Sequence, residues 1–265
     1  MTTCKFLAAL AVAATVGSAS FGAQAVELLS HRAAYRLSLH DAEPAGGVVD
    51  VRGALVMEWR ASCEGWISNQ QLGFVADTTD GTDFMYDVRF RSWESRDHSK
   101  LRFYVRSFDD GRPFEEISGK ATLTAPGMAG VAHYEQPKVN TIDLPAGTIF
   151  PTLHMNRLVE AAEAGEYVMT HEVFDGSDPD VISTVSAFIG QARVSTIDTE
   201  HGKEQRWPVH LAYYSGNAGV DTPDFQISFD LSDQGVLYDI VLDYGEFALQ
   251  ADLEEMEAYD TPVCQ

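Results

Sequence analysis

Cysteine is scarce in this chain, with three in 265 residues at Cys4, Cys63 and Cys264, and no C-x-x-C occurs. Positive charge is scarce too: 18 Lys and Arg stand against 40 Asp and Glu, a formal net charge of −22. A field of that sign repels phosphate backbones and anionic lipid surfaces, which argues against nucleic-acid binding. No apolar run reaches the about 20 residues needed to span a bilayer, so no membrane-spanning helix is predicted. The motifs of common enzymes are also missing. There is no G-x-S-x-G elbow, no H-E-x-x-H, no P-loop and no G-x-G-x-x-G.

What is there begins with an export signal. Lys5 supplies a positive start, residues 6–16 form an apolar core, and Ala23-Gln24-Ala25 is an A-x-A cleavage pattern. Residues 1–25 are therefore read as a cleaved signal peptide and the periplasm as the destination. Cleavage removes Cys4 and Lys5 and leaves one domain over residues 26–265, with 17 basic and 40 acidic residues. The acidity is read first as a well-solvated surface. Cys63 and Cys264 remain, and an even count in an oxidising compartment predicts one disulfide, with two free thiols as the alternative. A bridge closing so long a loop removes at most roughly 5 kcal/mol of denatured-state freedom on the chain-entropy model.

The dominant hydrophobic period is two. Ala33, Tyr35, Leu37 and Leu39 alternate with Arg32, Arg36 and Ser38, and Val49, Val51, Leu55, Met57 and Trp59 repeat the pattern. Further alternating runs start at Phe84, Leu101, Val209, Phe225 and Phe247. One apolar and one polar face is the signature of antiparallel strands with one side on a core. Asp80-Gly81, Asp110-Gly111 and Gln234-Gly235 separate such runs as hairpin loops do. A mostly β single domain follows, as a meander, sandwich or barrel.

One segment departs from this period. Over residues 152–164, Met155, Leu158, Val159 and Ala162 fall at i, i+3, i+4 and i+7, one face of a helix. Pro151 suits the first turn and Gly165 the stop. A lone amphipathic helix among strands is expected to dock that face inside the curved sheet. The eight histidines are scattered, with none at metal-ligand spacing, and His154 on the helix reads as a core residue. His171 and Glu172 are neighbours on a strand and point to opposite faces, which weakens them as a proton-transfer pair. The loop Asp175-Gly-Ser-Asp178-Pro-Asp180 has the oxygen ligands calcium takes but not the EF-hand spacing, and its residues are turn formers. No metal or cofactor site is read from it.

Several stretches together resemble the EipB-like family, cell-envelope integrity proteins of alphaproteobacteria. They are SHRAAYRLSL at 30–39, Cys63-Glu64-Gly65, IDLPAGTIFPTLHM at 142–155, Asp175-Gly176-Ser177, Thr222-Pro223 before FQISF, and VLDYGEFAL at 241–249. Residues 191–205 match poorly. The resemblance implies a periplasmic, spiral-like open β-barrel blocked at one end by a helix, with a disulfide matching Cys63 and Cys264. It implies no enzymatic activity and no catalytic residue. It also implies an envelope role, with a helical-repeat protein as a partner. The leading reading is a non-enzymatic protein supporting envelope integrity through protein or lipid contacts. A lipid or lipoprotein carrier using the concave apolar face, and a hydrolase without a familiar motif, are the alternatives.

Overall fold

The structure is a computed structural model that describes residues 28–43, 47–179, 182–199, 202–215 and 222–264. The expected signal peptide lies outside them. Eight antiparallel strands follow one another as a meander: β1 (His31–Ala42), β2 (Val48–Ala61), β3 (Gly65–Thr78), β4 (Asp83–Ser95), β5 (Lys100–Asp109), β6 (Arg112–Leu123), β7 (Gly130–Gln136) and β8 (Asn140–Leu144). The turns fit their residues. Between β5 and β6, Asp110 and Gly111 both take positive φ (47° and 72°), the two-residue geometry that matches strand twist.

A two-residue strand β9 (Thr148–Ile149) leads into the helix α1 (Pro151–Ala164), which returns to β10 (Val168–Val173), parallel to β9. The chain then continues through β11 (Ser183–Ile189), β12 (Arg193–Thr199), β13 (Gly202–Ser215), β14 (Phe225–Ser232), β15 (Leu237–Asp243) and β16 (Phe247–Ala258). β16 pairs with β1, so one sheet runs from β8 through β1 to β16 and on to β9, with β12 attached beside β13. Its two edge strands, β8 and β9, are joined directly by residues 145–147. The sheet is therefore curled on itself into a nearly closed barrel with one seam, mostly β with a single short helix among the described residues.

Alternation places the core. Ala33, Tyr35 and Leu37 of β1, Phe229 and Leu231 of β14, and Leu249 and Ala251 of β16 are all buried on the inner face. One expectation fails in β2. Val49 is 53% exposed while Val48 is buried, because a register slip between Val48 and Asp50 inserts an extra residue opposite β3. Such a bulge reverses the facing of residues before it. A second apolar cluster lies under β5–β8, where Leu101, Phe103, Ile117 and Tyr134 pack with Phe150 and Phe174.

Candidate functional site

The interior is organised by α1. Phe150 at its N-cap makes no side-chain cap, leaving first-turn N–H groups without an intrahelical acceptor. Glu94, at the inner end of β4 and 1% exposed, supplies the acceptors from 58 positions away. Thr152 N donates to its Oε2 at 2.7 Å and Leu153 N to its Oε1 at 3.2 Å. His98 Nδ1 lies 2.6 Å from the same Oε1. Both carboxyl oxygens are thus engaged in holding the helix, which gives Glu94 a positioning role. At the other end Gly165 takes φ 72°, and the N–H groups of Gly165 and Glu166 donate to Ala162 O and Ala161 O, a helix stop of the Schellman kind.

Of the face expected to dock, Leu158 and Val159 have no exposed surface and Ala162 is 3% exposed, all within the main core cluster. Met155 is half-buried at the border of that cluster. His154, read from sequence as a core residue, is buried as expected, whereas the periodicity did not reveal that Thr152 and Ala161 are buried as well. The His154 ring stands edge-on to His171 of β10, centroids 6.1 Å apart, and its Nε2 has no partner. Burial first, and then the neighbouring His171, lower the His154 pKa to about 4. Burial also lowers His171, helped by the Arg157 charge.

Beside the helix the interior is not filled. A cavity of about 260 Å³ is walled by Leu55 and Met57 of β2, Leu72 of β3, Val88 and Phe90 of β4, and Ile227 of β14. The polar side chains reaching it are Gln70, Tyr213 and Tyr244. Met57, Val88, Phe90 and Ile227 remain half-buried although they face inward, which is the mark of unfilled space. Burial pushes the Tyr213 phenol up, and the nearby Asp175 carboxylate adds to it. Tyr244 is pushed up to about 12, by burial first and then by Tyr86.

Tyr213, Phe225 and Tyr244 of the cavity wall begin an arc of rings that runs on beyond the cavity. Tyr213 contacts Phe225 at 5.6 Å, Phe225 contacts Tyr244 at 5.1 Å, and Tyr244 contacts Phe247 at 5.3 Å. Phe247 reaches Phe74 at 6.2 Å, and Phe74 reaches Tyr86 at 5.9 Å. Phe74 sits on β3 and Phe247 on β16, so the contact crosses β2 and β1. A Cβ at Gly53 of β2 would stand 2.6 Å from that of Phe74, which explains glycine there.

A larger hollow of about 390 Å³ involves Arg32, Glu58, Asn69, Arg89 and Arg91. These residues point outward, and Arg89 and Arg91 are exposed. Its groups stay hydrated, so the smaller inner cavity is the better candidate site. Among the described residues no group of three His, Cys, Asp or Glu is placed to share a metal ion. No helix of the described residues is long and apolar enough to cross a membrane.

The remaining residues singled out by sequence are spread apart. Cys63, in the β2–β3 turn, is disulfide-bonded to Cys264 after β16, with Cα atoms 5.4 Å apart. His171 faces His154, whereas Glu172 accepts from Thr184 Oγ1 at 2.8 Å, so the two do not converge. Asp175 forms a turn in which Ser177 N and Oγ donate to its Oδ1 at 2.8 and 2.7 Å. Asp180 lies outside the described residues. Phe174 buries its ring against Phe103 and Phe150, which fixes this turn over the second cluster.

Comparison with known proteins follows the same outline. Residues 22–260 match the family model described as EipB-like. The "Cell envelope integrity protein EipB" of Brucella abortus is 33% identical over 96% of this chain and 95% of that protein. A crystal structure from Brucella abortus, titled a β-barrel-like protein of a domain of unknown function, superposes with a TM-score of 0.83 at 32% identity. The match covers 89% of this chain and all of that one. A match across nearly the whole length, by sequence and by fold alike, shows that the chain belongs to the EipB-like family.

Proposed function

We propose that this protein supports cell-envelope integrity from the periplasm, without catalysis, by holding an apolar chain of an envelope component in the barrel cavity. The observation that carries this reading is the inner cavity of about 260 Å³, walled by aliphatic and aromatic side chains with few polar groups. It falls just below the roughly 300–1,000 Å³ of small-molecule sites, which suits one short chain or part of a longer one. The envelope role is taken from the name of the Brucella abortus relative. The reading without catalysis draws support from Glu94 and His98, a deeply placed carboxyl–imidazole pair among the described residues, being committed to the helix terminus. The Cys63–Cys264 bond and the docked face of Met155, Leu158, Val159 and Ala162 keep the barrel rigid around the cavity in this reading.

The test is complementation. Cells lacking the protein should become sensitive to envelope stress, and the wild-type gene should restore them. Val88→Trp, which fills the cavity, should accumulate to normal levels and fail to restore. Full restoration by a folded, cavity-filled variant would refute the role of the cavity.

A further inference from the structure

The aromatic part of the cavity wall, Tyr213, Phe225 and Tyr244, lies at the strand ends that carry the β13–β14 and β15–β16 turns, and the β1–β2 and β3–β4 turns share that end of the barrel. Phe225 opens β14, Phe247 opens β16, and Tyr244 sits in the turn between β15 and β16. Those same ends are acidic: Asp83 precedes Phe84, Asp224 precedes Phe225, Asp243 precedes Tyr244, and Glu246 precedes Phe247. Glu43 of the β1–β2 turn donates its backbone N–H to Glu246 O at 3.0 Å, which brings two carboxylate-bearing residues together. Asp175 follows β10 at this same end, where Val173 pairs with Ser183 of β11 and Ser183 with Ser215 of β13.

The cations nearby do not cancel this. Arg52 is held by Asp50 at 2.9 Å and Asp77 at 2.7 Å. Arg112 lies two strands from Tyr86, paired in register with Asp109. From residue 139 onward the chain has four basic residues, Arg157, Arg193, Lys203 and Arg206, against 23 Asp and Glu. The half of the barrel that contributes Tyr213, Phe225, Tyr244 and Phe247 is therefore strongly negative, and exposed fields of one sign at a cleft reach several kT.

We propose that the cavity selects amphiphiles by head-group charge: it takes an apolar chain with a cationic head and turns away anionic ones. This rests on the proposed function, since it concerns the same cavity. The chain enters the apolar wall, while its head remains among the carboxylates of the turns. A carboxylate, sulfate or phosphate head would sit against Glu43, Asp224 and Glu246, and like charges held together at a partly desolvated rim are unfavourable.

The test uses three amphiphiles with one dodecyl chain, below micelle formation: dodecyltrimethylammonium, the nonionic dodecyl maltoside, and dodecyl sulfate. Binding to the full chain is read as 1:1 complexes, and binding that persists in Val88→Trp, or in Ile227→Trp if the first does not fold, is subtracted as surface adsorption. At low salt the ammonium compound should bind at least about tenfold tighter than the sulfate, a ratio typical of steering by surface potential. Raising ionic strength should shrink the ratio. In Glu43→Gln/Asp83→Asn/Glu246→Gln, whose carboxylates make no hydrogen bond or ion pair among the described residues, the ratio should fall several-fold. Equal or tighter cavity binding of dodecyl sulfate, or a ratio unmoved by that variant, overturns the selection. If dodecyl maltoside does not bind the cavity either, the proposed function itself fails, and the selection with it.

Discussion

Removing the Glu94 carboxyl tests how α1 is held. Glu94 is 1% exposed, and it accepts from two backbone N–H groups of the first helical turn. Thr152 is 3% exposed, so Glu94→Ala leaves at least one donor deprived of an acceptor away from bulk water. Each buried unsatisfied donor costs about 1–3 kcal/mol, giving about 2–6 kcal/mol for two. Water entering the vacated volume would draw the cost toward the lower end. Glu94→Gln keeps one carbonyl oxygen and should cost about 1–3 kcal/mol, since one N–H stays satisfied. Urea unfolding of the three proteins gives these differences directly, provided the slope with denaturant is unchanged. Amide exchange at Thr152 and Leu153 should quicken in both variants. Glu94→Ala within about 0.5 kcal/mol of wild type, the range of a neutral surface change, would refute the cap.

Other perturbations have equally definite outcomes. Cys63→Ser opens a bridge spanning 201 positions and should lower stability by about 2–5 kcal/mol; peptide mapping without reduction should find the linked pair, and free thiols in periplasmic material would contradict it. Leu158→Ala, at a side chain with no exposed surface, should cost about 2–5 kcal/mol; Leu158→Asp should cost more by burying an unpaired carboxylate, and an unshifted melt would mean the helix face is not docked. His154 is held neutral, with a pKa of about 4 against 6.5 unfolded, so the unfolded chain takes the proton first. That contribution is complete above pH 6.5 and is lost as pH falls toward 4, about 3 kcal/mol in all. His154→Leu should flatten the loss across that window in unfolding titrations, and an equally steep loss would reject the assignment.

Much of the fold was legible because strand alternation is a local signal. Tyr35, Leu37, Leu211 and Leu249 could be placed inward from sequence alone, and the structure has them buried. Val49 could not, because a period of two does not register an extra residue until the partner strand is known. The joining of β1 to β16 was likewise hidden by distance along the chain. The Glu94 cap was illegible for the same reason: nothing near Phe150 tells of an acceptor on β4. The cavity was hidden differently. Val88 and Val105 both read as inward-facing strand valines, yet Val105 is packed in the second cluster while Val88 lines open space. Which inward residues fill the core and which leave room is decided by the closure of the whole sheet.

The most direct measurement is therefore calorimetric titration of the full chain with dodecyl maltoside below its micelle concentration, in wild type and in Val88→Trp. A saturable 1:1 complex with a negative heat-capacity change, the mark of apolar burial, is expected for wild type and should disappear when the cavity is filled. Absence of saturable binding to wild type, or unaltered binding to a folded Val88→Trp protein, would contradict an apolar chain-binding cavity in the barrel.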